Sequence, residues 1–220
     1  MDIYPPGVRS RKIENINGLN MHVLEAGYDN CENKQCLVLL DFFPELAYSW
    51  RKVLLPLADA CYYVIAPDQR GYGYTEGWND NFEGDISEYE ITNLVKDIIS
   101  LIFSTGRNSI DCLIGHDFGS IVAAHATLIR PDIFKAVVLM SAPFEGVPSI
   151  DFEPKEDIID VHKDMASLSK PRKHYQWYYS TDQANSDMIN SKQGLKNFLR
   201  AYYHVKSGDW EGNKPFKLKG

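Results

Sequence analysis

The segment "LIGHDFGSIVAAH", residues 113–125, sets a carboxylate, Asp117, between Gly115 and Gly119 where an apolar strand pattern gives way to a helical one. Small residues two positions to either side are what a sharp, strained strand-to-helix turn requires if its central side chain is to project, as in a nucleophile elbow. The helix that follows adds its dipole and its free backbone N–H groups, which keep a carboxylate ionised and can stabilise an oxyanion. A carboxylate so placed attacks carbon and forms an ester, and hydrolysis of that ester regenerates the acid. Capping of the helix is the other reading of an aspartate here, and the residue types alone leave both open.

An elbow needs a sheet beneath it. "CLVLL", "CYYVIA", "SIDCLIG" and "AVVLMSA" are short continuous apolar runs, the pattern of buried parallel strands, while "MHVLEA" alternates like a half-exposed strand. Helical stretches separate them, as parallel strands require. In "EYEITNLVKDIISLIFSTG" the residues Ile91, Leu94, Val95, Ile98, Leu101 and Ile102 fall on one stripe and Gly106 supplies a stop. The alternation predicts an α/β class for residues 1–145. From residue 146 to 220 strand-like runs vanish, and the aromatics of "HYQWYY" and "LRAYYHVKSGDW" recur at helical spacing, which predicts a separate helical segment.

Four stretches, in order, resemble the epoxide hydrolase branch of the α/β-hydrolase family, most closely its fungal members. "FFPELAYSW" resembles the loop after the third strand, "PDQRGYG" the turn after the fourth, and "GHDFGS" an elbow with an aspartate nucleophile. "HYQWYY" resembles the part of the helical cap whose tyrosine points at the epoxide oxygen. The resemblance implies an α/β-hydrolase fold, a mostly parallel sheet flanked by helices with a helical cap in residues 146–220, and later strands missing from this sequence. It implies Asp117 as nucleophile and Tyr175 as the acid that protonates the opening ring. The backbone N–H groups of Phe43 and Phe118 would form the oxyanion hole, with Pro44 after a cis peptide and with Pro44, Trp50 and Trp177 lining the substrate pocket. The implied substrate is a small epoxide or similar apolar molecule, opened to an alkyl-enzyme ester and then a vicinal diol, with no cofactor and no metal.

Two features depart from the family pattern. Where the family has His-Gly before the "FP" of the oxyanion loop, this sequence has Asp41-Phe42. Replacing a glycine that takes positive φ costs about 1–2 kcal/mol, and an ionised Asp41 beside an oxyanion would oppose its charge. The triad of this fold also runs nucleophile, acid, histidine, and no strand pattern follows "AVVLMSAPF" to carry the last two. His22, His116, His125, His162, His174 and His204 read as structural or surface imidazoles. Turnover by these 220 residues is therefore in question, and a catalytically dead homologue acting as a binding module is a competing reading. A haloalkane dehalogenase-like hydrolase is the third, weakened because Phe118 follows the aspartate where those enzymes usually have a halide-binding tryptophan.

Composition reads as a globular protein for which small-molecule partners fit better than nucleic acid. Of 220 residues 44% are hydrophobic, and the net charge is −7 with no basic block, which argues against a nucleic-acid partner. No run approaches the ~20 apolar residues of a membrane span, so a cytoplasmic location is expected. Cys31, Cys36, Cys61 and Cys112 lack metal-ligand spacing and read as free thiols.

Overall fold

Strands β1 (Arg9–Ile16), β2 (Leu19–Ala26), β3 (Cys36–Leu40), β4 (Tyr63–Pro67), β5 (Cys112–His116) and β6 (Val137–Met140) form one sheet in the order β1-β2-β4-β3-β5-β6. The first three in that order are antiparallel neighbours, whereas β4, β3, β5 and β6 run parallel. The computed structural model describes residues 3–29, 31–144, 146, 160–212 and 214. The chain divides into two compact units, Met1–Pro148 and Ser149–Gly220. The boundary expected near residue 146 adjoins a stretch, 147–159, that lies outside the described residues.

Period-two alternation explains how the sheet is covered on both faces. Val38, Leu40, Ile65 and Leu113 face α2 (Ile91–Ser104) and α3 (Phe118–Ile129), where Ile98, Leu101, Val122 and Ala126 are fully buried. Leu37, Leu39, Val64 and Ala66 point the other way, into a cluster with Leu54 of α1 (Arg51–Asp59). Each such side chain removed from water is worth about 1.5–3 kcal/mol. The α2 stripe lies where the sequence puts it, and Gly106, at φ 77°, follows the helix end.

Two expectations need correction, those for β2 and β6. β2 is buried at seven of its eight positions rather than half exposed, because β1 and β4 flank it and both faces are covered; its Glu25 is held by Arg9, Arg11 and Tyr63. β1 itself, "RSRKIENI", carries too many charges to read as a strand, yet two of its arginines are what neutralise Glu25. β6 is parallel as expected but exposed at all four residues, since among the described residues it pairs with β5 alone.

The second unit contains α4 (Val161–Ala166), α5 (Tyr175–Tyr179), α6 (Gln183–Ile189) and α7 (Leu195–Lys206), and no strand among its described residues. No helix is long and apolar enough to cross a membrane.

Candidate active site

Asp117 sits between β5 and α3 with φ 54° and ψ −130°, a backbone conformation that L residues rarely hold. Residues kept in such regions cost about 1–3 kcal/mol and persist only where their surroundings over-determine them. Here the surroundings are backbone. A Cβ on Gly115 would lie 2.3 Å from Gly119 O, and one on Gly119 would lie 2.6 Å from Leu40 O, so β5, α3 and the end of β3 approach more closely than any side chain allows. The Asp117 N–H donates to Met140 O at 3.1 Å. The Ser120 hydroxyl lies within donating distance of Gly115 O (2.7 Å) and Met140 O (2.8 Å), and it accepts from the Met140 N–H at 3.0 Å. The Asp117 side chain caps no helical N–H, so the capping reading of this residue does not hold.

The neighbouring loop leaves β3 as Asp41-Phe42-Phe43-Pro44, with a cis Phe43–Pro44 peptide. Phe42 is not among the positive-φ residues, so the backbone cost expected from a lost glycine does not arise. Its ring packs 4.7 Å from Tyr72 and 4.6 Å from Phe118, which joins the loop to the first turn of α3. The Asp41 carboxylate accepts from the Phe42 N–H at 2.9 Å and meets His116 Nδ1 at 3.0 Å, and the Gln69 side chain donates to the Asp41 carbonyl. Burial raises the Asp41 carboxyl above its ordinary value, while the bonds from His116 and the Phe42 N–H pull it down.

Sequence reasoning missed two features of this region. Tyr72 approaches closely enough that, after burial, the charge of Asp117 is the next cause holding its phenol above the ordinary value. The loop carrying Tyr72 is pinned by Arg70, which grips Asp97 with two bonds (2.9 and 2.8 Å) and Glu88 with a third (2.6 Å). The Asp41–His116 pairing was also unforeseen, although the parallel pairing of β3 with β5, which sets Leu40 beside Gly115, could have signalled it.

The expected site residues fall in both units. Asp117, Phe118, Phe43 and Pro44 gather in the first. Trp50 belongs to the first as well, where it is 7% exposed and part of the apolar cluster with Leu39, Leu54 and Val64. Tyr175 and Trp177 belong to the second. Tyr175 opens α5, with the Lys206 ammonium 4.9 Å above its ring and Tyr179 at 6.1 Å. Trp177 lines an open cleft with Val161, His162, His174, Gln176 and Ser180. Among the remaining histidines, His22 is buried against Asp68 at 2.7 Å and His125 bonds the Ile121 carbonyl at 2.8 Å. No group of three metal-ligating side chains occurs among the described residues, and all four cysteines are free.

Comparison with known proteins settles the family. The sequence matches the alpha/beta hydrolase fold family over residues 36–188. The chain belongs to the α/β-hydrolase family. It is 36% identical over 137 residues to epoxide hydrolase A of Mycobacterium tuberculosis, covering 62% of this chain and 40% of that protein. Epoxide hydrolase B of the same organism is 31% identical over 203 residues, covering 90% of this chain and 54% of the relative. Among solved structures, potato (Solanum tuberosum) epoxide hydrolase I superposes with a TM-score of 0.68 at 28% identity, over 90% of this chain and 56% of the potato protein. The α/β-hydrolase chain thus spans about half the length of the relatives it matches.

Proposed function

We propose that this α/β-hydrolase chain carries the covalent half-reaction of an epoxide hydrolase, with Asp117 as nucleophile. One carboxylate oxygen of Asp117 attacks an epoxide carbon, the ring C–O bond breaks, and the departing oxygen takes a proton from the Tyr175 hydroxyl. The product is an alkyl ester on Asp117. A phenol suits the donor role because the opening ring develops alkoxide character that a hydrogen bond stabilises without a charged acid. In the second half-reaction water adds to the ester carbonyl, the N–H groups of Phe43 and Phe118 stabilise the resulting oxyanion, and its collapse breaks the acyl C–O bond to the alkyl group, releasing the diol, regenerating the Asp117 carboxylate and returning the remaining proton to the Tyr175 phenolate. None of the six histidines is assigned as the base for that water. General-base help is worth about 10²–10⁴-fold, so the ester should accumulate on the 220-residue polypeptide.

The observation that carries this reading is the strained φ of an aspartate at an elbow closed by backbone contacts, in a chain whose relatives are named epoxide hydrolases. Its test is intact-protein mass after exposure to styrene oxide and a short series of aliphatic epoxides. One added epoxide mass is expected on the peptide holding Asp117, absent in Asp117→Asn and slower to form in Tyr175→Phe. No adduct with any epoxide, from protein shown to be folded, would defeat the proposal and leave the binding-module reading standing.

A further inference from the structure

We infer that the Asp41–His116 pair is a clasp that sets the separation of the two oxyanion donors, making both residues positioning residues of the Asp117 site. The inference rests on the proposed role of that site. β3 and β5 are parallel neighbours in register Leu40↔Gly115, so Asp41, the first residue past β3, and His116, the last residue of β5, are the next residues along each chain and stand side by side. Counting on by two from each gives Phe43 on one side and Phe118 on the other, the two amides assigned to the hole. The clasp at 3.0 Å therefore closes a short frame whose arms are Asp41-Phe42-Phe43 and His116-Asp117-Phe118.

Three further contacts make this frame stiff. The Asp41 carboxylate also accepts from the Phe42 N–H at 2.9 Å, which fixes the direction in which the loop leaves the strand. Gln69 holds the Asp41 carbonyl from the other side. The rings of Phe42 and Phe118 meet at 4.6 Å across the frame. Asp41 is 7% exposed, so its carboxylate has given up most of its water and depends on these partners. With its proton on Nδ1, the His116 imidazole is a donor that can satisfy it, and the adjacent residue is Asp117 itself. The departure that looked harmful in the sequence thus becomes a tie between the loop and the elbow.

The clasp makes separable predictions for Asp41→Ala, His116→Ala, the double variant and Asp41→Asn, which keeps an acceptor oxygen. Formation of the Asp117 ester should keep its dependence on epoxide concentration in all four. Decay of the ester, once excess epoxide is removed, should slow by roughly tenfold to a hundredfold in either alanine variant, below the full loss of one oxyanion donor at about 10²–10³. The double variant should be no slower than the slower single, because both act through one link. Asp41→Asn should decay within about threefold of the parent, a rescue that loss of packing would not produce.

Amide hydrogen exchange over residues 41–46 supplies a readout that needs no reaction. Both alanine variants should exchange faster there by a similar factor, and peptides from α2 should be unchanged. Unaltered exchange at 41–46 in folded Asp41→Ala overturns the clasp. So do additive effects of the two alanines on exchange or ester decay. Should no ester form on the parent chain, the proposed function fails, while the exchange data still decide whether the clasp exists.

Discussion

Gly115→Ala places the smallest possible side chain at the closest backbone contact beneath the candidate nucleophile. The new methyl carbon would lie 2.3 Å from Gly119 O, 2.5 Å from Gly119 C and 2.6 Å from Ser120 Cα, all atoms of the first turn of α3 and none able to rotate away. Relief requires α3 to move off β5 by about 1 Å, and overpacking of this kind costs ~1–3 kcal/mol. That movement also stretches the Ser120 contact to Gly115 O, now 2.7 Å, a bond worth ~1 kcal/mol. Opposing these is a gain of ~0.4–1 kcal/mol, because alanine has less conformational freedom than glycine in the unfolded chain. The net expectation is a destabilisation of ~1–3 kcal/mol. Asp117 and the Phe118 amide ride on the same turn, and a 1 Å misplacement of reacting groups costs as much as about 10²-fold in rate.

Urea denaturation gives the first quantity, read as a lower midpoint at unchanged slope, and the rate of ester formation by intact mass gives the second. Gly106→Ala is the control. It introduces a side chain at φ 77° with nothing within 4 Å, so it should lose ~1–2 kcal/mol through backbone strain without touching the rate. If Gly115→Ala kept both the parent midpoint and the parent rate, the close approach of β5 to α3 would not be what shapes the elbow.

Three other outcomes follow from particular residues. Burial pushes the Glu25 carboxyl up, but hydrogen bonds from Arg11, Tyr63 and Arg9 outweigh it and hold it below its ordinary 4.5. Its stabilisation is therefore complete above that value and is lost as pH falls through the folded-state pKa beneath it; Glu25→Gln should flatten the acid limb of urea midpoints measured against pH, and a limb as steep as the parent's would refute this. Asp117→Gly should raise stability by ~1 kcal/mol, because relief of ~1–3 kcal/mol of strain exceeds the ~0.5–1 kcal/mol entropy cost of glycine, whereas Asp117→Ala keeps the strained φ and should gain less; equal midpoints for the two would place no strain at the elbow. Val138→Lys in the exposed strand β6 should reduce light scattering by the 220-residue chain at micromolar concentration, and unchanged scattering would show that this edge does not drive association.

Local pattern alone makes part of the fold legible. Strands β3, β4 and β5 announce themselves as short apolar runs, and α2 through a stripe that its buried residues reproduce. Both signals come from residues whose fate is settled within a few positions. β1 was illegible because its charges make sense only opposite Glu25, and Arg11 and Glu25 stand 14 residues apart on paired strands. The exposure of β6 was illegible for a related reason: an apolar run states what a strand can bury, whereas its neighbours decide what it does bury.

At the site, the elbow was readable because glycine at positions 115 and 119 is a steric requirement written into the sequence itself. The oxyanion loop was not, because the residue types offered only the backbone cost of Phe42 and the charge of Asp41, and no partner for that charge. An aspartate beside an expected oxyanion is unfavourable if its carboxylate is free to face that oxyanion, and neutral or helpful if a cation or donor elsewhere claims it. Which case applies depends on a partner 75 residues away, brought alongside by the parallel pairing of β3 with β5. Strand register therefore carries functional information that motif spacing does not. Once two strands are assigned as parallel neighbours in a given register, the residues at equal offsets from a paired position stand beside one another. In this chain that inference turns an apparent defect, Asp41, into the partner of the residue that precedes the candidate nucleophile.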